Sequence, residues 1–216
     1  MLKLPHRIGV FGVAVATALG LTACADNGSE ADTTHASTSE TASAQSGTSQ
    51  ARTADGAVTV TDAAGRTLQF NELPERIVLA EGRAAYATAL LQDEPLHNVV
   101  AYGQDLEKAA GAFRDKLFEL QPEAKDMPTI GMIQKGDVTV ENLLAQKPDV
   151  VIMTLDQKKA VEESGFLSDM DAAGLKYAFI DFRQKPLENT TVSMQLLGDL
   201  LGAELGPYAG DGKPIR

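Results

Sequence analysis

Two arginines carry the chemistry most readily read from this chain. Arg83 and Arg183 each follow a short apolar run, at 77–80 and 177–180. A guanidinium is planar, permanently charged and forked, so it suits carboxylates or catecholate oxygens. The competing use of each is a surface ion pair, with Glu81 and Asp181 standing two residues upstream. Tyr86, Tyr102 and Met132 occupy comparable positions. They could lie against a flat or greasy ligand, or serve as ordinary packing.

Residue types suited to catalysis are scarce. The histidines are His6, His35 and His97, and only His97 falls in the part that reads as folded. A Ser-His-Asp triad would have to use it, and the chain has no G-x-S-x-G elbow, P-loop or G-x-G-x-x-G. Multi-histidine metal sites are excluded, and the lone Cys24 rules out an intramolecular disulfide. No enzyme, cofactor or metal centre is therefore expected. A formal net charge of −11 without basic clusters argues against nucleic acid and against an electrostatic grip on anionic lipid.

The elements that must position the arginines follow from hydrophobic periodicity. Residues 58–62 and 67–70 alternate at period two around a turn at 63–66, which predicts a hairpin. Strands are expected at 77–80, 98–102, 128–130, 150–153 and 177–180. Helical patterns fill 84–91, 106–120, 140–145, 158–163, 167–173 and 187–201. Strands alternating with helices predict an α/β fold with a mostly parallel sheet flanked by helices. Ligands of such sheets meet the carboxyl ends of the strands. That rule selects Glu81, Gly82, Arg83 and Tyr86, then Tyr102 and Gly103, Gly131 and Met132, Thr154, and finally Asp181, Phe182 and Arg183. His97 precedes its strand and reads as structural or solvated.

The first 23 residues read as a secretion signal. Lys3 and Arg7 precede an uncharged run at 8–21, too short for a comfortable membrane span. The run ends in Leu21-Thr22-Ala23-Cys24, which is similar to a bacterial lipobox. Cleavage before Cys24 and acylation of its thiol would anchor the protein, since two or more acyl chains hold a membrane stably. Residues 24–56 are rich in Ser, Thr and Ala and read as a disordered tether, reaching roughly 30 Å root-mean-square.

Several segments together resemble one family. Val60-Thr61-Asp62-Ala63-Ala64-Gly65-Arg66, followed by Leu73-Pro74-Glu75-Arg76-Ile77-Val78, resembles the opening of ABC-transporter substrate-binding proteins of the iron-siderophore, haem and cobalamin class. Ile130-Gly131, Val140-Glu141-Asn142-Leu143-Leu144 and Lys147-Pro148-Asp149-Val150-Val151-Ile152 resemble its central segment. Leu196-Leu197-Gly198-Asp199-Leu200-Leu201-Gly202 resembles the start of its inter-lobe helix. In Lys147-Pro148-Asp149 the proline ends a helix and the aspartate turns the chain into a strand, a structural role.

The resemblance implies two α/β lobes joined by a long helix, with ligand in the cleft between them. It implies a lipid-anchored receptor on the extracytoplasmic face of the cell membrane. Its partners would be an ABC permease and a ferric siderophore or related iron chelate, with haem, cobalamin or a metal ion as alternative cargo. Arg83, Tyr86, Tyr102, Met132 and Arg183 become ligand contacts, and Glu141 the residue that docks into an arginine-containing pocket of the permease. Residues 57–186 would be the N-terminal lobe, 187–205 the start of the inter-lobe helix and 206–216 an irregular tail. A second lobe is expected after that helix and is missing from this chain, which reads as a truncated form. A fragment, a premature stop and a frameshift are the simplest origins. A single-lobe protein docking on the permease without cargo is a further reading.

Overall fold

The computed structural model describes residues 56–203. The expected signal at 1–23, Cys24, the tether up to residue 55 and the tail at 206–216 lie outside the described residues.

The first two strands, β1 (Val58–Thr61) and β2 (Thr67–Phe70), pair antiparallel as a hairpin. Five more form a separate sheet: β3 (Ile77–Leu79), β4 (Val99–Gly103), β5 (Thr129–Ile130), β6 (Val150–Thr154) and β7 (Tyr177–Ile180). Their spatial order is β5-β4-β3-β6-β7, and every neighbouring pair is parallel. The chain builds outward from β3 to β5, then crosses back and places β6 on the other side of β3. The strand order therefore reverses between β3 and β6, the place where parallel sheets open a crevice at their carboxyl ends.

Both faces of this sheet are buried, which is why its strands read as unbroken apolar runs. Ile77, Leu79, Val150, Ile152, Ala178 and Ile180 pack on one side with the hairpin's Val60 and Phe70 and with Leu196 and Leu200. Val78, Val151, Met153 and Phe179 pack on the other with Leu143, Val161 and Met170. The alternation is the period of two that a pleated strand imposes.

The helices are α1 (Ala85–Thr88), α2 (Asp105–Ala109), α3 (Gly111–Leu120), α4 (Val140–Leu144), α5 (Leu155–Glu163), α6 (Phe166–Ala172) and α7 (Pro186–Leu201). Two differ from expectation. The pattern at 84–91 yields only the four residues of α1 after a 3-10 turn at Gly82–Ala84. There the Thr88 hydroxyl donates to the Ala85 carbonyl at 3.2 Å, one of the local bonds that make threonine a poor helix interior residue. The pattern at 106–120 is broken at Ala110, with φ −138° and ψ 36°, just before Gly111. Glycine costs about 1 kcal/mol relative to alanine inside a helix, and the break still leaves both Leu106 and Leu117 buried. The long α7 opens with Pro186 in its first turn and closes at Gly202, whose φ of +69° is the left-handed cap that glycine supplies. Among the described residues no helix is long and apolar enough to cross a membrane.

The family-like motifs turn out to be clamps. The Asp62 carboxylate accepts from the Ala64 and Arg66 amides at 2.9 and 2.8 Å, holding the hairpin turn. Its other oxygen accepts from the Phe179 amide at 3.1 Å, and the Ala63 amide donates to the Phe179 carbonyl at 2.8 Å. The hairpin is thereby pinned to the edge strand β7. At the amino ends of β3 and β6, Asp149 accepts from the Glu75 and Arg76 amides, both at 2.9 Å. Arg76 returns the contact by donating to the carbonyls of Lys147 and Gln146 at 2.8 and 2.7 Å. The Pro-Glu-Arg and Lys-Pro-Asp segments thus fasten one another.

Candidate functional site

At the carboxyl ends of β3, β4, β6 and β7 the chain gathers five charged side chains: Glu81, Arg83, Asp105, Asp156 and Arg183. Glu81, two residues past β3, is 8% exposed and stands at their centre. Its Oε1 lies 2.6 Å from Nη2 of Arg83 and 2.9 Å from Nη1 of Arg183. Its Oε2 accepts from Arg183 Nη2 at 2.6 Å and from the Thr154 hydroxyl at 3.0 Å. Arg183 therefore holds Glu81 as a bidentate fork, the geometry a guanidinium and a carboxylate favour. The same Arg183 Nη2 donates to both Asp156 oxygens at 2.7 Å. Arg83 is held from its other side by Asp105, at 3.2 Å from Nε.

Backbone and helix starts fix these groups. Asp105 accepts from the Gly82 and Arg83 amides at 2.8 and 3.1 Å, so one carboxylate caps the 3-10 turn and orients the arginine. Thr154 ends β6 and precedes α5, and Gln157 accepts from its amide at 2.9 Å. Burial alone would raise the Asp156 carboxyl, but the hydrogen bond from Arg183 and the contact with Thr154 outweigh it and hold it below the usual carboxylate range.

Of the residues selected from sequence, Arg83, Arg183 and Met132 come together around one small cavity of about 50 Å³, which Glu81, Gln134 and Asp156 also line. Tyr86 is 47% exposed and stacks on Phe113, with ring centroids 4.1 Å apart, outside that cavity. Tyr102 requires correction. It is 1% exposed and packs in the core with Leu79 and Leu106, so it is a core residue and not a cleft contact. Of the ion pairs weighed as the competing use of the arginines, that of Arg83 with Glu81 is present at 2.6 Å, whereas the side chain of Arg183 turns from Asp181 to Glu81 and Asp156. His97 is exposed and meets Glu94 at 3.1 Å. Glu141 is exposed near the start of α4, which Thr139 and Asn142 cap reciprocally. The Thr139 side chain, then the local backbone, hold the Glu141 carboxyl below its usual range.

Sequence reasoning missed Asp105 and Asp156. Both stand two residues past a strand's end, the spacing that selected Glu81, and extending the same rule by two positions would have found them. A larger open depression of about 290 Å³ lies between β2 and the start of β7. Its cations are already engaged: Arg66 lies 3.9 Å over the Tyr177 ring, and Lys176 Nζ donates to the Gln69 carbonyl at 2.6 Å. Among the described residues no group of three or more His, Cys, Asp or Glu is placed to hold a metal ion.

Asp181 has a structural task. Its buried carboxylate accepts from the amides of Arg183, Gln184 and Lys185 at 2.9, 2.8 and 2.9 Å and from Asn189 Nδ2 at 2.8 Å. Burial opposes ionisation, but the bonds from Asn189 and the three amides prevail and lower its proton affinity. With the folded value below the unfolded one, this stabilisation is present above about pH 3.9 and is lost as pH falls through the folded value. Asp181→Asn is expected to cost about 2 kcal/mol at neutral pH. Urea titrations from pH 7 to 2 should show a flatter acid limb for the variant; an unchanged slope would assign the acid sensitivity elsewhere.

No family model matches the chain, and neither does any curated protein. Among solved structures, it is similar to the TroA-like periplasmic binding protein FepB from Veillonella parvula, at 26% identity and a TM-score of 0.61 over 67% of this chain. A periplasmic solute binding protein from Veillonella parvula DSM 2008 aligns at 20% identity and a TM-score of 0.53 over 68% of this chain, a likeness of fold. The chain spans 42% and 41% of the lengths of those two proteins. The fold is that of a single lobe of a TroA-like binding protein. The single α/β lobe expected from the resemblance is thus borne out, and both neighbours carry the name of periplasmic binding proteins.

Proposed function

We propose that this chain is the N-terminal lobe of the extracytoplasmic substrate-binding component of an ABC importer, with a ferric siderophore as cargo and a lipid on Cys24 as its anchor. The observation that carries the reading is the convergence of Arg83 and Arg183 at the reversal point of the sheet. Their side chains are 39% and 40% exposed, so both reach the surface, where anionic oxygens of a ligand would compete for them with Glu81, Asp105 and Asp156. Siderophore chelates of ferric iron often carry net negative charge on such oxygens. Met132 and, further out, Tyr86 would flank the chelate. A cavity of about 50 Å³ is far below the roughly 300–1,000 Å³ of an enclosed small-molecule site, so this lobe offers a face to cargo.

The test is titration of the full chain with ferric tris-catecholate, followed by quenching of tyrosine fluorescence. Weak binding is expected, reduced about tenfold or more by Arg83→Ala or Arg183→Ala, as loss of a charge-assisted contact implies. Binding indifferent to both substitutions would sink the cargo reading. In the same set, Glu141→Ala should leave this binding intact and lower permease-coupled uptake. The intact mass of membrane-extracted protein should correspond to a lipidated product beginning at Cys24, and an unmodified mass would remove the anchor.

A further inference from the structure

The two carboxylates on Arg183 are not equivalent. Glu81 is buried, bridges both arginines and is tied to Thr154. Asp105 is committed to two backbone amides as well as to Arg83. Asp156 is 40% exposed, projects from the first turn of α5 and directs both oxygens at Arg183 Nη2, the nitrogen that also donates to Glu81 Oε2 at 2.6 Å. The cluster sets two guanidinium groups against three carboxylates, which leaves one negative charge in excess. Asp156 is the most exposed of the three carboxylates, at 40% against 11% for Glu81 and 16% for Asp105, and it lines the same cavity as Arg183.

From this arrangement we infer that Asp156 is a built-in competitor for the ligand's anionic group. Its carboxylate occupies Arg183 Nη2 where a ligand carboxylate or catecholate oxygen would bind, and a ligand gains Arg183 only by displacing it. Asp156 thus sets how strongly anionic the cargo must be. A neutral or singly anchored ligand fails to dislodge a carboxylate held at 2.7 Å, whereas a ligand with several clustered anionic oxygens succeeds. Glu81 stays in place throughout and keeps the two arginines side by side. The inference rests on the cargo reading above for its biological meaning, but its physical content is the competition at Arg183.

Citrate is a suitable probe, since it presents clustered carboxylates and needs no iron. Binding to the full-length chain at low salt would be followed through the arginine side-chain N–H signals in NMR spectra. Asp156→Asn should bind citrate about tenfold more tightly than wild type. Asp156 is an exposed first-turn residue, so the variant keeps its fold, and far-ultraviolet dichroism checks this. Glu72→Gln removes an equal charge outside the cluster and should change affinity by less than about twofold. Adding Arg183→Ala to Asp156→Asn should abolish the gain. The inference is overturned if Asp156→Asn gains nothing over wild type, including the case in which neither binds. It is equally overturned if the gain survives loss of Arg183 or is matched by Glu72→Gln. A gain with citrate alongside indifference to ferric tris-catecholate would remove the siderophore reading and leave the competition at Arg183 standing.

Discussion

Asp62→Ala is expected to lower the melting temperature by about 10 °C, equivalent to about 3 kcal/mol for a domain of this size. The carboxylate serves three backbone amides at once: those of Ala64 and Arg66 in the hairpin turn and that of Phe179 in β7. Alanine leaves all three without that acceptor, and each orphaned buried donor costs about 1–3 kcal/mol. Water reaches the two turn amides more readily than the buried Phe179 amide, which keeps the total near the lower end. Asp62→Asn retains one acceptor oxygen and should recover about half of the loss. Thermal unfolding by circular dichroism gives the magnitude. Hydrogen exchange at the Phe179 amide gives the cause, because it should accelerate in the alanine variant well before global unfolding. A loss confined to the turn amides would mean that the Ala63–Phe179 backbone bond and apolar contact hold the hairpin to β7 without help from Asp62.

The second large effect is expected at Gly82. A Cβ there would lie 2.3 Å from the Gly103 carbonyl oxygen and 2.7 Å from Leu106 Cβ. The first of these is backbone at the end of β4, a strand paired on both sides, and it cannot swing aside as a flexible side chain can. Gly82→Ala should cost about 3 kcal/mol, the upper part of the usual range for overpacking. That is a large share of a stability of roughly 5–15 kcal/mol. The same displacement would draw the Gly82 and Arg83 amides away from Asp105, so the arginine should lose its orientation together with the fold's stability. Adding Leu106→Ala should not rescue the variant, since alanine keeps the Cβ at 2.7 Å and the closer clash is with the carbonyl. Urea unfolding of the single variant decides the matter, and a cost below about 1 kcal/mol would show that the end of β4 yields to the added methyl.

These two positions show which part of the fold was legible in sequence and which was not. The turn at 63–66 could be read from its residues, but not the anchorage of Asp62, because Phe179 lies 117 residues away. The strands β3, β4, β6 and β7 were legible as apolar runs. The break at Ala110 was not, because the apolar periodicity of α2 continues into α3 across it. In the site, the rule that ligands meet the carboxyl ends of parallel strands selected Arg83, Met132 and Arg183, and these do share one cavity. The same rule selected Tyr102, which is buried. A strand covered on both faces carries no polar alternation, so its sequence does not reveal which way each terminal side chain points.

The sequence by itself determined the class of fold, the arginines and the lipobox-like Leu21-Thr22-Ala23-Cys24, all of which depend on local composition and on periods of two and 3.6 residues. Only the tertiary structure decided what the arginines face. Arg83 follows β3 and Arg183 follows β7, and they meet at Glu81 beside Asp156 because β6 lies between those strands. Strand order is set by crossover connections and by burial of both sheet faces, and no local pattern in the chain records it.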